Sequence, residues 1–215
     1  MKNLLYKEFQ LGIPKGIYAF ALLSALLLIP AYPYIAGMGY VILAIFNTFA
    51  AAAANRDHEF TASLPVRRAD IVLSKTAALL VLEGITLLAA VPFALLSSYA
   101  VNPAGNIVGM DANFAFFGFT FAEYGVFNAV FLPRYFRTGY KAGMPTLLGL
   151  IGYTLTGLVL ELATQFVPAL RVLDSLDGAT LGYRLIALFA GMAAFALCTF
   201  FACRRAVKNF EKVNL

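Results

Sequence analysis

The chain has 215 residues, of which 61% are hydrophobic and 13% charged, with a net charge of +5 and a mean hydropathy of +0.81. Soluble domains are about 45–50% apolar and about 25% charged, so composition excludes both a soluble globular domain and a disordered chain. At about 20 residues per crossing, six spans fit and leave no length for a second folded domain, so residues 1–215 are read as one all-α membrane domain.

Met1 to Gly12 is too polar to span. Leu5, Phe9 and Ile13 recur on one side, with Asn3, Lys7 and Gln10 on the other, which predicts an amphipathic interfacial helix over residues 1–15. A cleaved signal peptide is the rival reading, but no small-residue cleavage site follows the charged start. Span 1 is expected over Gly16 to Tyr34, ending in a kink at Pro30 to Pro33, and span 2 over Gly37 to Ala54. The most polar stretch, Asn55 to Lys75, precedes span 3 (Thr76 to Tyr99). A Gly-, Asn- and Pro-rich loop (Val101 to Asn113) leads into span 4 (Phe114 to Leu132), and a short basic loop follows over residues 133–142. Span 5 covers Gly143 to Thr164, with Pro145 in its first turn. Gln165 to Tyr183 is a polar loop with a short helix expected over Val167 to Leu173. Span 6 covers Arg184 to Cys203 and a basic tail closes the chain.

Of the 16 Lys and Arg residues, 14 fall in the termini and in the loops after spans 2 and 4, leaving Arg171 and Arg184 on the other side. The positive-inside rule then places both termini in the cytoplasm, consistent with an even number of spans. Topology accounts for the basic pI, so no nucleic-acid partner is needed. Cys198 and Cys203 lack metal or redox spacing and read as small buried hydrophobes. Ala187 and Gly191, four apart in span 6, permit close helix packing within the chain.

Several chemistries lack their residues. No phosphate-binding loop, zinc-protease motif or nucleophile elbow occurs, and no aspartate lies within a span. Three carboxylates do: Glu83 in span 3, Glu123 in span 4 and Glu161 in span 5. Ionisable groups inside a membrane are costly and are candidate functional sites by default. Only Glu123 sits near the midplane; for all three, a protonated carboxyl or one hydrogen-bonded to a neighbouring helix is the plainer account.

The loop Asn55 to Lys75 carries the most information. Ser63 is placed to cap a helix beginning near Pro65, with Arg67, Arg68 and Asp70 on its polar side. Asp57 to Thr61 forms one earlier turn, with Phe60 as an apolar anchor. The result is a charged helical elbow joined to two spans, able to pass force from a soluble partner; a solvated connector is the simpler alternative.

The run Ser63-Leu64-Pro65-Val66-Arg67-Arg68-Ala69-Asp70-Ile71-Val72-Leu73-Ser74-Lys75, with Asp57 upstream, resembles the segment between spans 2 and 3 of type-2 ABC transporter permeases. More narrowly, it is similar to the small bacterial branch that includes the phenol-soluble modulin exporter permeases. Phe131 to Lys141, read as Pro-x-Tyr-Phe followed by Gly-Tyr, and the opening Met1 to Phe9 are similar to that branch as well. Arg68 departs from it, since the branch often carries a different polar residue there.

The resemblance implies a multi-pass permease of the bacterial plasma membrane, paired with a second permease (a homodimer is favoured) and with two copies of a cytoplasmic ABC ATPase subunit. Residues 55–75 would hold the coupling helix, with Asp57, Phe60, Leu64, Pro65, Val66, Arg67, Arg68 and Asp70 as the ATPase-docking surface. Arg134, Arg137 and Lys141 would form a second cytoplasmic contact. The chain itself would bind no cofactor, with ATP and Mg on the partner. In the family the path lies between permeases, lined by spans 1, 2 and 5. Asn47, Glu123 and Thr154 are the candidate polar groups on a substrate path, and so apolar a wall suits an amphipathic peptide or lipid-like cargo. Alternatives are an ion-coupled secondary transporter using Glu123, which would predict inverted repeats that are not evident, and a non-transport membrane scaffold. An intramembrane enzyme ranks last for want of a catalytic constellation.

Overall fold

A computed structural model describes residues 2–102, 105–138 and 141–213, and every regular element among them is helical. Gly139 and Tyr140, part of the second sequence resemblance, lie outside the described residues. Helix α1 (Lys2–Lys7) widens into a π turn (Glu8–Gly12), and a 3-10 helix (Lys15–Leu28) follows after a 74° bend. Helix α2 (Tyr34–Ala54) and the short α3 (Asp57–Ala62) lead to α4 (Arg68–Leu96), which runs on through a π turn (Ser97–Val101). The rest is α5 (Phe114–Arg137), α6 (Gly143–Phe166) and α7 (Leu181–Phe210), with 3-10 turns at Pro168–Asp174 and Gly178–Thr180. Helices α2, α4, α5, α6 and α7 are long and apolar enough to cross a membrane, and the bent N-terminal pair supplies a sixth candidate.

The first span differs from expectation. It ends at Leu28, and Tyr34 already belongs to α2. Burial falls on Ile17, Ala21, Ser24 and Leu27, close to every third residue, as a 3-10 helix aligns them. At about 2.0 Å per residue, 14 residues in this form reach about 28 Å, near the hydrocarbon thickness, whereas an α-helix of that length reaches about 21 Å. Small residues at Ala21 and Ser24 let it pack closely against α2 and α4.

Three more boundaries are corrected. α5 runs through Pro133 to Arg137, so Arg134 and Arg137 lie on its last turn rather than in a loop. Asn209 Nδ2 donates to Pro133 O at 2.7 Å, tying that turn to α7. α7 spans Leu181–Phe210, so Arg204, Arg205 and Lys208 of the expected tail are helical. The expected short helix over 167–173 is a 3-10 turn shifted by one residue.

Helix α5 is the most enclosed of the long helices. Phe127, Phe131 and Tyr135 stack along it, and Phe49 of α2 meets Phe131 and Tyr135 edge-on. Its contact with α7 is made by glycine. A Cβ on Gly191 would strike the Gly118 carbonyl, one on Gly118 would strike the Ala187 carbonyl, and one on Gly125 would lie 2.9 Å from Phe195 Cα. The small residues of span 6 thus serve packing within the chain. Asn113 caps α5, its side-chain oxygen accepting from the N–H groups of Ala115 (2.9 Å) and Phe116 (3.1 Å).

The bundle has two distinct ends. At one, α1, α3, the start of α4 and the ends of α5 and α7 meet, so the first and last helices reach the same end. At the other, Asn102 donates to Leu28 O, Asp111 N–H to Asp174 Oδ1 (2.8 Å) and Asn113 Nδ2 to Leu173 O (2.8 Å). These bonds join the loop before α5 and the loop after α6 to each other and to the first span.

Candidate functional site: the charged end of the bundle

Helix α2 ends at Ala54, and Arg56 adopts a left-handed conformation (φ 48°), the usual way for a helix to stop and the chain to turn. Helix α3 begins at once with Asp57. Ser63 does not cap a following helix as expected. It closes α3, its hydroxyl donating to Phe60 O at 2.7 Å. Residues 63–67 are non-helical, and α4 starts at Arg68 rather than at Pro65. The elbow is therefore a one-and-a-half-turn helix plus an extended break.

Asp57 is locked in a ring of four charges. Lys7 Nζ lies 2.7 Å from Asp57 Oδ1 and 3.1 Å from Glu8 Oε1, and Lys75 Nζ lies 2.7 Å from both Asp57 Oδ2 and Glu8 Oε2. Lys7 also donates to the Thr61 hydroxyl at 2.8 Å, which donates in turn to Asp57 O. Charges alternate around the ring, so each has two opposite neighbours, the arrangement that makes burial of charge tolerable. Burial alone would raise the Asp57 pKa, but Lys75 and Lys7 outweigh it and hold the carboxyl below its ordinary value. The ring joins α1, its π turn, α3 and α4.

This placement differs from the expected interfacial helix. Leu4, Glu8 and Ile13 are the buried residues of the segment, and Lys7 turns inward although it was assigned to the polar side. Burial follows the partner charges on α3 and α4, which helical periodicity does not contain.

The candidate docking residues divide into two groups. Phe60, Leu64, Pro65 and Arg67 are exposed, with Phe60 64% exposed despite its size. Val66 packs against the core and Asp70 is half-buried. Asp57 is in the ring. Arg68 turns to the end of α7, where its guanidinium donates to the carbonyls of Phe210 (3.3 Å), Glu211 (3.0 Å) and Val213 (2.8 Å). A cation on the last carbonyls of a helix satisfies orphan acceptors and opposes the negative end of its dipole. Arg134, Arg137 and Lys141 lie exposed at or just beyond the end of α5.

The intramembrane carboxylates occupy separate places. Glu83 of α4 accepts from Asn128 Nδ2 of α5 at 3.1 Å, and that amide also donates to Thr199 of α7 at 3.2 Å, so one cluster links three helices. Glu123 lies between α2, α5 and α6 beside Tyr124 and Tyr153, whose hydroxyls donate to Met38 O (2.8 Å) and Ile35 O (2.7 Å). Its carboxyl reaches over Gly157, where a Cβ would come within 2.8 Å of Oε1, and Oε2 is buried without a hydrogen-bond partner. Glu161 sits toward the opposite end, against Gly109 and the N–H of Met110. Asn47 and Thr154 are exposed on the outer surfaces of α2 and α6. Glu123 is buried while Asn47 and Thr154 are exposed, so the three do not share one surface of the chain. No group of three His, Cys, Asp or Glu side chains able to hold a metal ion occurs among the described residues.

A family model described as "ABC-2 family transporter protein" matches residues 3–205, a range that takes in the charged elbow and all the long helices except the last turn of α7. Comparison with curated proteins and with solved structures gave no match. The matched range covers nearly the whole chain, the helices are those of a multi-pass membrane protein, and the family implies a partner ATPase subunit and a transport role rather than an enzymatic one. The chain belongs to the ABC-2 transporter family, as a transmembrane subunit of an ABC transporter.

Proposed function

We propose that this chain is the permease of a bacterial plasma-membrane ABC exporter, of the branch that resembles the phenol-soluble modulin exporter permeases. Its charged end faces the cytoplasm and docks a separate ATPase that supplies ATP and Mg chemistry. The observation that carries this reading is α3. It is a short helix with an unpartnered apolar side chain, Phe60, pointing outward, while its inner side is clamped by Asp57 and Thr61 to α1 and α4. A load on Phe60, Leu64, Pro65 and Arg67 would move the interfacial helix and a membrane helix together, as a coupling element must. Asp57 and Arg68 hold the elbow's shape, and Arg134, Arg137 and Lys141 offer a second contact. Rim charges such as Arg67 favour partner choice over affinity.

Two such chains enclose the path. Asn47 and Thr154 support this: they are polar groups on the outer face of an apolar bundle, and they are better covered by a second copy than by lipid. The remaining lining is apolar, which favours an amphipathic peptide or lipid-like cargo.

The test is co-purification with the ATPase from native membranes in mild detergent. A stoichiometric ATPase, lost in Phe60→Ala/Arg67→Glu while the permease still folds, supports the reading. An intact complex in that variant sinks the docking surface. Glu123, buried with one oxygen unpaired, favours a second reading, proton-coupled secondary transport. Transport by vesicles that follows a proton gradient without ATP, and fails in Glu123→Gln, would establish it in place of the first.

A further inference from the structure

Helices α4 and α7 leave a gap between them. Small residues at Ala77 and Ala196 hold open a groove of about 520 Å³ on the outside of the bundle. That volume falls within the roughly 300–1,000 Å³ of ligand-sized clefts. Its walls are Leu73, Leu80, Phe195 and Phe200, with Thr76 and Thr199 on the floor. Thr76 donates to Val72 O at 2.8 Å, and the Thr199 oxygen accepts from Asn128 at 3.2 Å. The lining is almost wholly apolar, so the groove suits hydrocarbon rather than a polar cargo.

One mouth of the groove is charged. Arg204 lies one helical turn beyond Phe200, with its guanidinium carbon 4.5 Å from the centre of that ring, so the aromatic wall and the cation form one continuous surface. Arg204, Arg205 and Lys208 are exposed, and among the described residues no carboxylate pairs with Arg204. Asp70, three residues before Leu73 on α4, is the acidic neighbour, which assigns the polar contact to the α7 side. A dry slot ending in unpaired cations complements a molecule with an apolar tail and an anionic head. Basic pockets between membrane helices hold anionic lipid headgroups on the same grounds.

We propose that the α4–α7 groove binds the acyl chain of an anionic phospholipid, with Arg204 holding its phosphate. The site is independent of the transport reading, since it requires only that the bundle lie in a membrane.

The chain contains no tryptophan, so a single Phe200→Trp substitution places a lone tryptophan on the groove wall. Phe189→Trp, on an exposed part of α7 about four turns before Arg204, reports ordinary bilayer contact. Each full-length variant is reconstituted in phosphatidylcholine vesicles containing a small fraction of brominated phosphatidylglycerol or, separately, brominated phosphatidylcholine. At Phe200→Trp the brominated phosphatidylglycerol should quench with about fivefold preference, the effect of one basic residue at an anionic surface. The preference should be absent at Phe189→Trp and lost when Arg204→Gln is added. Equal quenching by the two lipids at both positions overturns the proposal. So does no quenching at Phe200→Trp, which would mean that a protein chain covers the groove. If the reporters do not fold, native mass spectrometry of the unsubstituted chain should find phosphatidylglycerol retained through purification. Retention should fall about fivefold in Arg204→Gln and also in Ala196→Phe, which fills the groove. Unchanged retention in both variants overturns the proposal equally.

Discussion

Lys75 Nζ lies 2.7 Å from Glu8 Oε2, and both side chains are no more than 2% exposed. Sixty-seven positions apart, they meet because the interfacial segment folds back across the start of α4. Removing one partner of a buried pair strands the other, at a cost of about 3–5 kcal/mol. Lys75→Met should therefore lower the thermal unfolding midpoint in detergent sharply. Adding Glu8→Leu should recover much of the loss, because no uncompensated carboxylate then remains on that side of the ring. Equal midpoints for the single and double variants would mean that the ring does not act as a unit.

The two ends of the bundle should answer pH in opposite senses. Asp57 has a depressed folded pKa, so its contribution is present above the unfolded value of about 3.9 and is lost as pH falls below it. Asp174, at the other end, is raised chiefly by burial and further by the charge of Asp111, against hydrogen bonds from the Asp111 N–H and Gln165. For a carboxyl raised in the fold, the ionised form weighs against folding, and stability rises as pH falls toward the unfolded value. At pH 7, Asp57→Asn should lower the unfolding midpoint and Asp174→Asn should raise it. Shifts of the same sign would refute the assignment.

Gly118 and Gly191 bring α5 and α7 into backbone contact. Overpacking typically costs about 1–3 kcal/mol, and here the obstructing atoms are backbone, which yields less than a side chain. Gly191→Ala should fall at the upper end of that range or prevent assembly. Gly84→Ala, where a Cβ meets nothing within 4 Å, should be neutral or slightly stabilising as helix propensity improves. The comparison is read from yield of folded protein and unfolding midpoint, and similar losses for the two substitutions would count against the glycine contact.

Arg67 and Arg68 are adjacent in sequence but point to different work. Arg68→Gln should release the end of α7, seen as faster amide exchange over residues 207–213 and a stability loss on the order of 1 kcal/mol, the scale of a charge-assisted hydrogen bond. Arg67→Glu should leave exchange and stability unchanged and alter only association with the ATPase. A loss of ATPase association from Arg68→Gln without any change in α7 would move Arg68 to the docking surface.

Membrane class, five of the six expected crossings and the grouping of basic residues were legible in the sequence. They depend on composition and on runs of apolar residues, which the bilayer imposes locally on any chain. The carboxylates inside spans and the elbow after span 2 stood out for the same reason, being polar exceptions in an apolar background. The inward turn of Lys7 and Glu8, the capping role of Arg68 and the burial of Asp57 were not legible, because each depends on a partner that is distant in the chain. The reach of the first span was also hidden, since only packing against α2 and α4 selects a stretched 3-10 helix over an α-helix. Local hydropathy determined which segments enter the membrane. Tertiary contact alone decided which charges face one another, because the energy of an ion pair depends on a distance that no sequence separation encodes.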